Sequence, residues 1–443
     1  MPADIACHDA RSDAHRVRGV EIMRVLLVSA NKEQINMPTM PLGLACVAAA
    51  TQSAGHEVKL LDLMAETDTA VIMKKTIGVF QPNVVGISLR NIDDQNMASP
   101  KHFLDQAKEA VTNCKTFSKS PIILGGAGYS IFPESALDYL GADIGIQGEG
   151  EDCFPVLLER MERNRPLSGL PNLYLHGRGF QGARKFTRDL DVFPLPDPAL
   201  LPTSLYEGED FWVPVQTRRG CPAKCSYCST ETIEGCIIRK RSPGVIIQWL
   251  TKWVEAGFTR FHFVDNTFNL PQSYAMALCS KIIDAGLDIS WRCILYPGNV
   301  DENLVREMAK AGCREVSIGF ESGCDRILKR MNKKFDSRQV RRISKILGDN
   351  GIGQMGFLLL GGPTETKTSV EESLAFTESL GLDAVKVTIG IRIYPYTRLA
   401  EIAAEEGLIA EDDDLLFPRF YIIKGLEDWL QETVSAWITE RSQ

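Results

Sequence analysis

The chain has 443 residues, of which 44% are hydrophobic and 24% charged, with a formal net charge of −8. That length predicts two or three domains, and that composition predicts an ordinary globular protein. The acidic balance argues against a dedicated nucleic-acid binder, and no apolar run reaches the ~18 residues of a membrane span. The N-terminus lacks the apolar core of a signal peptide, and twelve cysteines in so long a chain are not a secreted disulfide framework, which leaves a reducing cytoplasm as the simplest setting.

Residues 1–22, with His8 and His15, are polar and aperiodic and read as a disordered tail. From Met23 the pattern becomes regular. Met23–Ala30 is a short apolar run of the kind a buried parallel strand requires. Met40–Ala50 is a helix of small residues suited to close packing, and Gly55 ends it. His56–Leu63 is a second strand, a helix spans about Ala70–Phe80, and Pro82–Ser88 is a third strand. A helix over about Lys101–Asn113 leads to the strand Pro121–Gly126. Ser135–Leu140 is helical, and Ile144–Glu151 closes the series. Such alternation predicts an α/β doubly wound parallel sheet, with ligands beyond the carboxyl ends of the strands. Those ends carry Ser88, Gly125-Gly126 and Gly148-Glu149-Gly150-Glu151.

A GG pair after the fourth strand and GEGE after the fifth resembles the Rossmann-like cobalamin-binding domain that precedes many radical S-adenosylmethionine (SAM) cores. The resemblance implies that Gly125 and Gly126 let the backbone approach a corrin or its nucleotide tail, with Ser88, Gly148 and Glu149 in the same site. The histidine of the D-x-H-x-x-G motif is missing, because no histidine lies between Met23 and Gly55. Any cobalamin would therefore lack a protein histidine ligand, as in the methyltransferase branch of the group. His56 and His102 read as surface or packing residues. Arg90–Asn96 is a strand-end loop placed to cover the corrin.

Residues 165–210 change character. Asp189–Pro198 is too rich in proline for a regular element and reads as an ordered linker between domains. The strand Val213–Thr217 then feeds Cys221-Pro222-Ala223-Lys224-Cys225-Ser226-Tyr227-Cys228. Three thiolates in one loop make a soft site for iron–sulfur or zinc. A closed zinc site needs a fourth ligand, and Cys236 is eight residues on with no C-x-x-C partner. Three ligands instead fit a 4Fe–4S cluster with one iron left open. The CxxxCxxC spacing of Cys221, Cys225 and Cys228, with Tyr227 before the last, resembles the radical SAM enzymes, in which the open iron chelates SAM.

A second alternation runs from Trp212 to about Gly407. Its predicted strands are Thr259–Asp265, Asp288–Ile294, Glu315–Gly323, Gln354–Glu365 and Ala384–Ile391. Helices are predicted over Pro243–Ala256, Gln272–Ala285, Glu302–Ala311, Val340–Asn350 and Val370–Leu380. With Val213–Thr217 this makes six units, which predicts a partial (β/α)6 barrel with chemistry at the carboxyl ends of its strands. Asp265 and Asn266 lie at one such end and are candidate site residues, Asp265 at the cofactor, with a cap on the following helix as the plainer role of the acid. Gly319-Phe320-Glu321-Ser322-Gly323 and Leu359-Leu360-Gly361-Gly362-Pro363-Thr364-Glu365 resemble further radical SAM motifs. That likeness implies SAM contact by Glu321 and an adenine site lined by Gly361, Gly362 and Pro363. Arg292 and Arg392 could hold a carboxylate or phosphate, or form surface ion pairs. Tyr394 and Tyr396, in a loop resembling the closing loop of cobalamin-type cores, face either substrate or core. His262 and the remaining cysteines read as core residues. Residues 408–443 form a C-terminal extension, with an acidic loop and a helix over Gly425–Ile438 expected on the open flank of the barrel.

The domain reading is thus 1–22 tail, 23–164 cobalamin-binding domain, 165–210 linker, 211–407 radical SAM barrel and 408–443 extension. The resemblance implies a methyltransferase that moves a methyl group from SAM, via methylcobalamin, to an unactivated carbon through a 5′-deoxyadenosyl radical. It also implies an external electron donor such as flavodoxin or ferredoxin. Cyclisation, rearrangement or oxidation without methyl transfer is the alternative within the group. A methylthiotransferase-like enzyme needs a second three-cysteine site that the sequence lacks. A non-catalytic metal-binding module is the alternative outside it. The substrate, whether a peptide or protein side chain, a lipid, a tetrapyrrole or a secondary metabolite, does not follow from the residues.

Overall fold

The computed structural model describes residues 22–33, 39–64, 66–201, 206, 211–298 and 300–441. The expected tail, apart from Ile22, lies outside the described residues, as do 202–205 and 207–210 of the expected linker.

The first sheet is built from β1 (Arg24–Ser29), β2 (Glu57–Asp62), β3 (Val84–Ser88), β4 (Ile122–Gly125) and β5 (Ile144–Ile146). They pair in parallel in the order β2-β1-β3-β4-β5. β1 and β3 are buried almost throughout, so their side chains are apolar without alternation. Helices Leu42–Ser53 and Gly150–Glu162 cover one face, through Leu44, Ala48, Phe154, Leu157 and Leu158. Helices Thr69–Phe80, Leu104–Phe117 and Pro133–Leu140 supply the apolar cover of the other. The order reverses between β1 and β3, and that switch point opens a crevice at the carboxyl ends.

The segment expected to be a linker is partly sheet. β6 (Leu173–Leu175) and β7 (Gly179–Phe180) add to the β5 edge as antiparallel strands. Three residues are too few for periodicity to reveal a strand, and the pairing partner decides it. The proline-rich part is held on the second domain instead. Arg241 donates to the Leu190 and Phe193 carbonyls, both at 2.7 Å, and Trp249 Nε1 to the Pro196 carbonyl at 2.7 Å.

The second sheet starts with β8 (Val213–Val215). A two-stranded ribbon of β9 (Arg218–Arg219) and β10 (Arg239–Lys240) brackets the cysteine loop. β11 (Arg260–Phe263), β12 (Ser290–Leu295), β13 (Cys313–Glu321), β14 (Gly353–Leu360) and β15 (Ala384–Ile389) follow. The order is β15-β14-β13-β12-β11-β8, all parallel, and the two end strands do not pair, so the six strands form an open barrel. Burial alternates along β12 and β14. Phe261, Phe263, Trp291, Val316 and Ile318 belong to the helix-side core with Trp249, Trp253, Leu278 and Leu304, and the half-buried residues between them, including His262, Arg292 and Ser317, face the concave interior. A last ribbon joins β16 (Ile391–Arg392) to β17 (Phe420–Tyr421). The final helix, Glu427–Arg441, packs against the edge strand β15, and Trp437 Nε1 donates to Glu378 at 2.7 Å.

One apolar cluster spans both domains: Leu104, Val111 and Leu137 share it with Ile327, Met331, Ile391, Leu399 and Tyr421. Buried ion pairs reinforce the seam. Asp93, from the loop after β3, pairs with Arg392 at 2.8 Å, both side chains being 2% exposed. The loop expected to cover a corrin is therefore anchored to the end of the barrel.

Candidate functional site

A cavity of about 430 Å³ lies at the carboxyl ends of the first sheet, where the second domain closes over it. Ser29, Ser88, Arg90, Gly125, Gly126, Gly148 and Glu149 line one side; Pro214, Gln216, Arg219, Ile233, Glu234 and Val264 line the other. The size is within the usual range for small-molecule and cofactor sites. Gly126 has φ +103°, and a Cβ there would lie 2.5 Å from the Leu89 carbonyl oxygen, so no other residue lets the chain turn here. The Arg90 side chain, exposed at the edge of the cavity, makes no side-chain hydrogen bond or ion pair among the described residues. A mostly apolar wall with one unneutralised cation suits a large ligand carrying amides and a phosphodiester, which is the chemistry of cobalamin.

The GEGE loop closes the cavity toward the barrel. Glu151 and Arg219 form a two-pronged pair, with contacts of 2.5 and 3.3 Å. Glu149 accepts from Arg219 at 3.3 Å, from Arg239 and from the Thr187 N–H at 2.8 Å. Burial pushes the Glu151 carboxyl up, but the Arg219 charge and hydrogen bonds outweigh it, so Glu151 stays below the usual carboxylate range. Glu149, expected at the cofactor, lines the cavity while its carboxylate is held by the ribbon that brackets the cysteines.

The cysteine loop is fastened at both ends. Gly220 has φ +88° against the Ile237 carbonyl, and its N–H donates to Glu234 at 3.0 Å. Cys221 N–H donates to the Gly235 carbonyl at 3.1 Å. Asp265 is fully buried, and its two oxygens accept from Thr217 N–H (2.7 Å), Thr217 Oγ1 (2.5 Å), Arg218 N–H (3.0 Å) and Arg218 Nε (3.1 Å). Asp265 is therefore a strut at the root of the loop rather than a helix cap. Asn266 braces Glu234 at 2.6 Å.

Cys221, Cys225 and Cys228 are half-buried. Burial raises the thiols of Cys221 and Cys225; Cys228 raises both further, and Cys221 adds to the rise of Cys225. Among the described residues no three His, Cys, Asp or Glu side chains are drawn in to metal-ligand distances, so the fit of a cluster rests on three soft donors sharing one loop. Tyr227 donates its hydroxyl to Glu321 Oε1 at 3.0 Å. Glu321, at the end of β13 with φ +65°, also receives Lys333 Nζ at 3.2 Å. The Lys333 side chain is 5% exposed and lies over the Tyr227 ring at 5.4 Å. Burial lowers its pKa, but Glu321 and Tyr227 more than reverse that, so it is held as the cation and in turn opposes the rise of both thiols. Lys333 escaped sequence analysis because it sits past a strand-end motif in an ordinary run of lysines; only the fold folds it inward.

The other expected residues divide. Gly361 and Gly362 donate their N–H groups to Glu365 Oε2 at 2.5 and 3.0 Å, next to buried Pro363 at the end of β14. Tyr394 is half-buried, its pKa raised chiefly by burial, and it feels the charge of Cys228. Tyr396 is 87% exposed on an outer groove. Arg392 belongs to the seam. Arg292 faces the barrel interior, 3.8 Å from Glu315 and stacked over Trp212. His262 lies beside it in register, its pKa lowered to about 4 by burial and by Arg292 and Arg90. His56 is buried and accepts the Met23 N–H, and His102 packs on Phe417.

A radical SAM superfamily model matches residues 215–377, and a B12 binding domain model matches residues 29–158. The chain is 30% identical to an uncharacterized methyltransferase of Pyrococcus horikoshii, over 88% of this chain and 85% of that protein. It is 23% identical to tryptophan 2-C-methyltransferase of Streptomyces laurentii, over 85% and 74%. The radical SAM methyltransferase TsrM of Kitasatospora setae, solved with cobalamin and a 4Fe–4S cluster, superposes with a TM-score of 0.80 at 21% identity, covering 87% of this chain and 78% of that one; at that identity the likeness is one of fold. The chain belongs to the cobalamin-dependent radical SAM enzymes. Within them it is an enzyme of the methyltransferase group, and its cofactors are a 4Fe–4S cluster, SAM and cobalamin.

Proposed function

We propose that the enzyme transfers a methyl group from SAM to an unactivated carbon of an organic substrate held between the two domains. The observation that carries this reading is the cavity at the seam, walled by the strand ends of the first sheet and by the flanks of the cysteine loop. The proposed domain bounds are 23–164 for cobalamin, 211–407 for the radical SAM core and 408–443 for the extension, with 165–210 joining them. The working compartment is the cytoplasm, with an electron carrier such as flavodoxin or ferredoxin. The described residues hold no helix long and apolar enough to cross a membrane.

In this reading Cys221, Cys225 and Cys228 hold the cluster, and Ser88, Gly125, Gly126 and Gly148 line the corrin. When bound, the cluster supplies the single electron that cleaves SAM, and cobalamin supplies the methyl carrier. The protein's own residues position and exclude. Asp265 and Arg218 fix the root of the loop. Tyr227, Glu321 and Lys333 tie its aromatic to the end of β13, beside the SAM site, and Gly361, Gly362 and Pro363 shape the adenine end. Arg219 and Arg239 hold Glu149 and Glu151, and through them the cavity, against the barrel.

The test is anaerobic purification with iron, sulfide and cobalt analysis, then incubation with methyl-deuterated SAM and a reductant. Label must appear in protein-bound cobalamin. Iron and sulfide without cobalt, or unlabelled cobalamin, would sink the proposal. Replacing Cys221, Cys225 and Cys228 by alanine should abolish iron and sulfide and leave cobalt binding.

A further inference from the structure

Electrons for the cluster must cross the surface that covers the cysteine loop. One flank of that surface is the segment 325–338. Ser226 N–H donates to the Met331 carbonyl at 3.0 Å, Asn332 Nδ2 to the Lys224 carbonyl at 2.5 Å, and Lys334 Nζ to Asn332 Oδ1 at 2.5 Å. The segment is thereby bonded to the loop itself. It carries Arg326, Lys329, Arg330, Lys333, Lys334 and Arg338 against Asp325 and Asp336, in a chain whose net charge is −8. Lys333 turns inward onto Glu321; the other five are exposed, and Lys224 is 61% exposed beside them. Arg338 is paired with Asp336 and Lys224 approaches Glu231 at 4.0 Å, but Lys329 and Arg330 have no side-chain hydrogen bond or ion pair among the described residues. The loop's other flank carries Ile237, 72% exposed, whose carbonyl lies against Gly220. A cationic rim beside an exposed apolar side chain is the make-up of a protein docking site rather than of a bare polyanion track.

We propose that this face, bounded by Lys224, Lys329, Arg330 and Lys334, docks an acidic one-electron carrier protein of the flavodoxin or ferredoxin kind against the cysteine loop. The inference rests on the reading that Cys221, Cys225 and Cys228 hold the cluster. One electron passes from the reduced carrier to the cluster; the carrier is oxidised by one electron, and no bond forms or breaks. Exposed charges act over a Debye length of ~8 Å at physiological salt, so docking is governed by ionic strength.

The experiment uses the anaerobically reconstituted holoprotein, with its iron and sulfide measured, and a flavodoxin as the probe. Binding is followed by calorimetry and electron transfer by stopped-flow bleaching of the cluster, with dithionite as the small reductant. The double variant Lys329→Glu, Arg330→Glu should weaken flavodoxin binding at low salt by about tenfold and flatten its salt dependence. Iron and sulfide content and dithionite reduction should be unchanged. Lys281→Glu, on a helix of the barrel's outer face, should bind as the wild type does. Unchanged affinity in the double variant, or an equal loss in Lys281→Glu, would overturn the docking site. Wild-type protein without iron and sulfide would overturn the cluster reading, and the docking proposal with it.

Discussion

Replacing Arg219 by methionine removes the centre of the seam and leaves a carboxylate stranded. Arg219 is 10% exposed and Glu151 4% exposed, and the two meet in a two-pronged pair at 2.5 and 3.3 Å. Removing one partner of such a pair leaves an uncompensated buried charge, at a cost of about 3–5 kcal/mol. Glu149 keeps Arg239 and the Thr187 N–H, so the loss concentrates on Glu151. At roughly 2–4 °C per kcal/mol for a domain of 150–250 residues, melting should fall by about 6–20 °C at pH 7. The pH dependence carries the signature. In the wild type Glu151 sits below its unfolded value of about 4.3, so its contribution is complete above that pH and is lost as pH falls through the folded value. Without Arg219, burial is opposed only weakly and the carboxyl moves up. The variant is then penalised most at neutral pH and relieved as Glu151 takes up a proton, so the gap to wild type narrows toward pH 5. Arg219→Met with Glu151→Gln should recover most of the loss. Calorimetric melts at pH 7 and pH 5 decide the matter. A gap within about 1 °C at pH 7, or one of the same size at both pH values, refutes the assignment of the seam to this pair.

Three further outcomes are expected. Lys333→Met leaves Glu321 with the Tyr227 hydroxyl alone and removes the cation that opposes the rise of the Cys221 and Cys225 thiols. The pH midpoint of thiol labelling in the cluster-free protein should move up, with Lys333→Arg restoring it, and an unmoved midpoint would show that Lys333 only packs. Gly126→Ala forces a left-handed backbone on a residue with a Cβ and drives that Cβ to 2.5 Å from the Leu89 carbonyl; it should cost more than about 1 kcal/mol and weaken cobalamin binding, as read by melting and by spectral titration. Burial pushes the Glu365 carboxyl up to about 7, against the Gly361 and Gly362 N–H groups. Its folded value lies above the unfolded one, so the wild type loses stability as pH rises from about 4.3 through 7, and Glu365→Gln should abolish that slope between pH 5 and 8.5. Parallel pH dependences of the two proteins would count against it.

Much of this protein is written locally. Buried parallel strands need unbroken apolar runs, so β1 and β3 stand out in any reading, whereas the alternating burial of β12 and β14, with helices on one side only, shows in the fold and not in their residues. The three cysteines announce a soft metal site because their spacing puts three thiol donors in one loop. Glycines that must turn, such as Gly126, are legible for the same reason: their constraint lies in their own backbone. What the sequence could not settle are pairings between residues far apart in the chain. Asp265 reads as a site acid until Thr217 and Arg218 saturate both its oxygens from 48 and 47 positions away. Glu149 reads as a cofactor residue and does line the cavity, but the partners that hold its carboxylate, Arg219 and Arg239, lie 70 and 90 positions on. Lys333 and Arg392 look like surface cations until the fold buries them on Glu321 and Asp93. A charge's role depends on which opposite charge shares its burial, and that is decided only when the two domains close on one another.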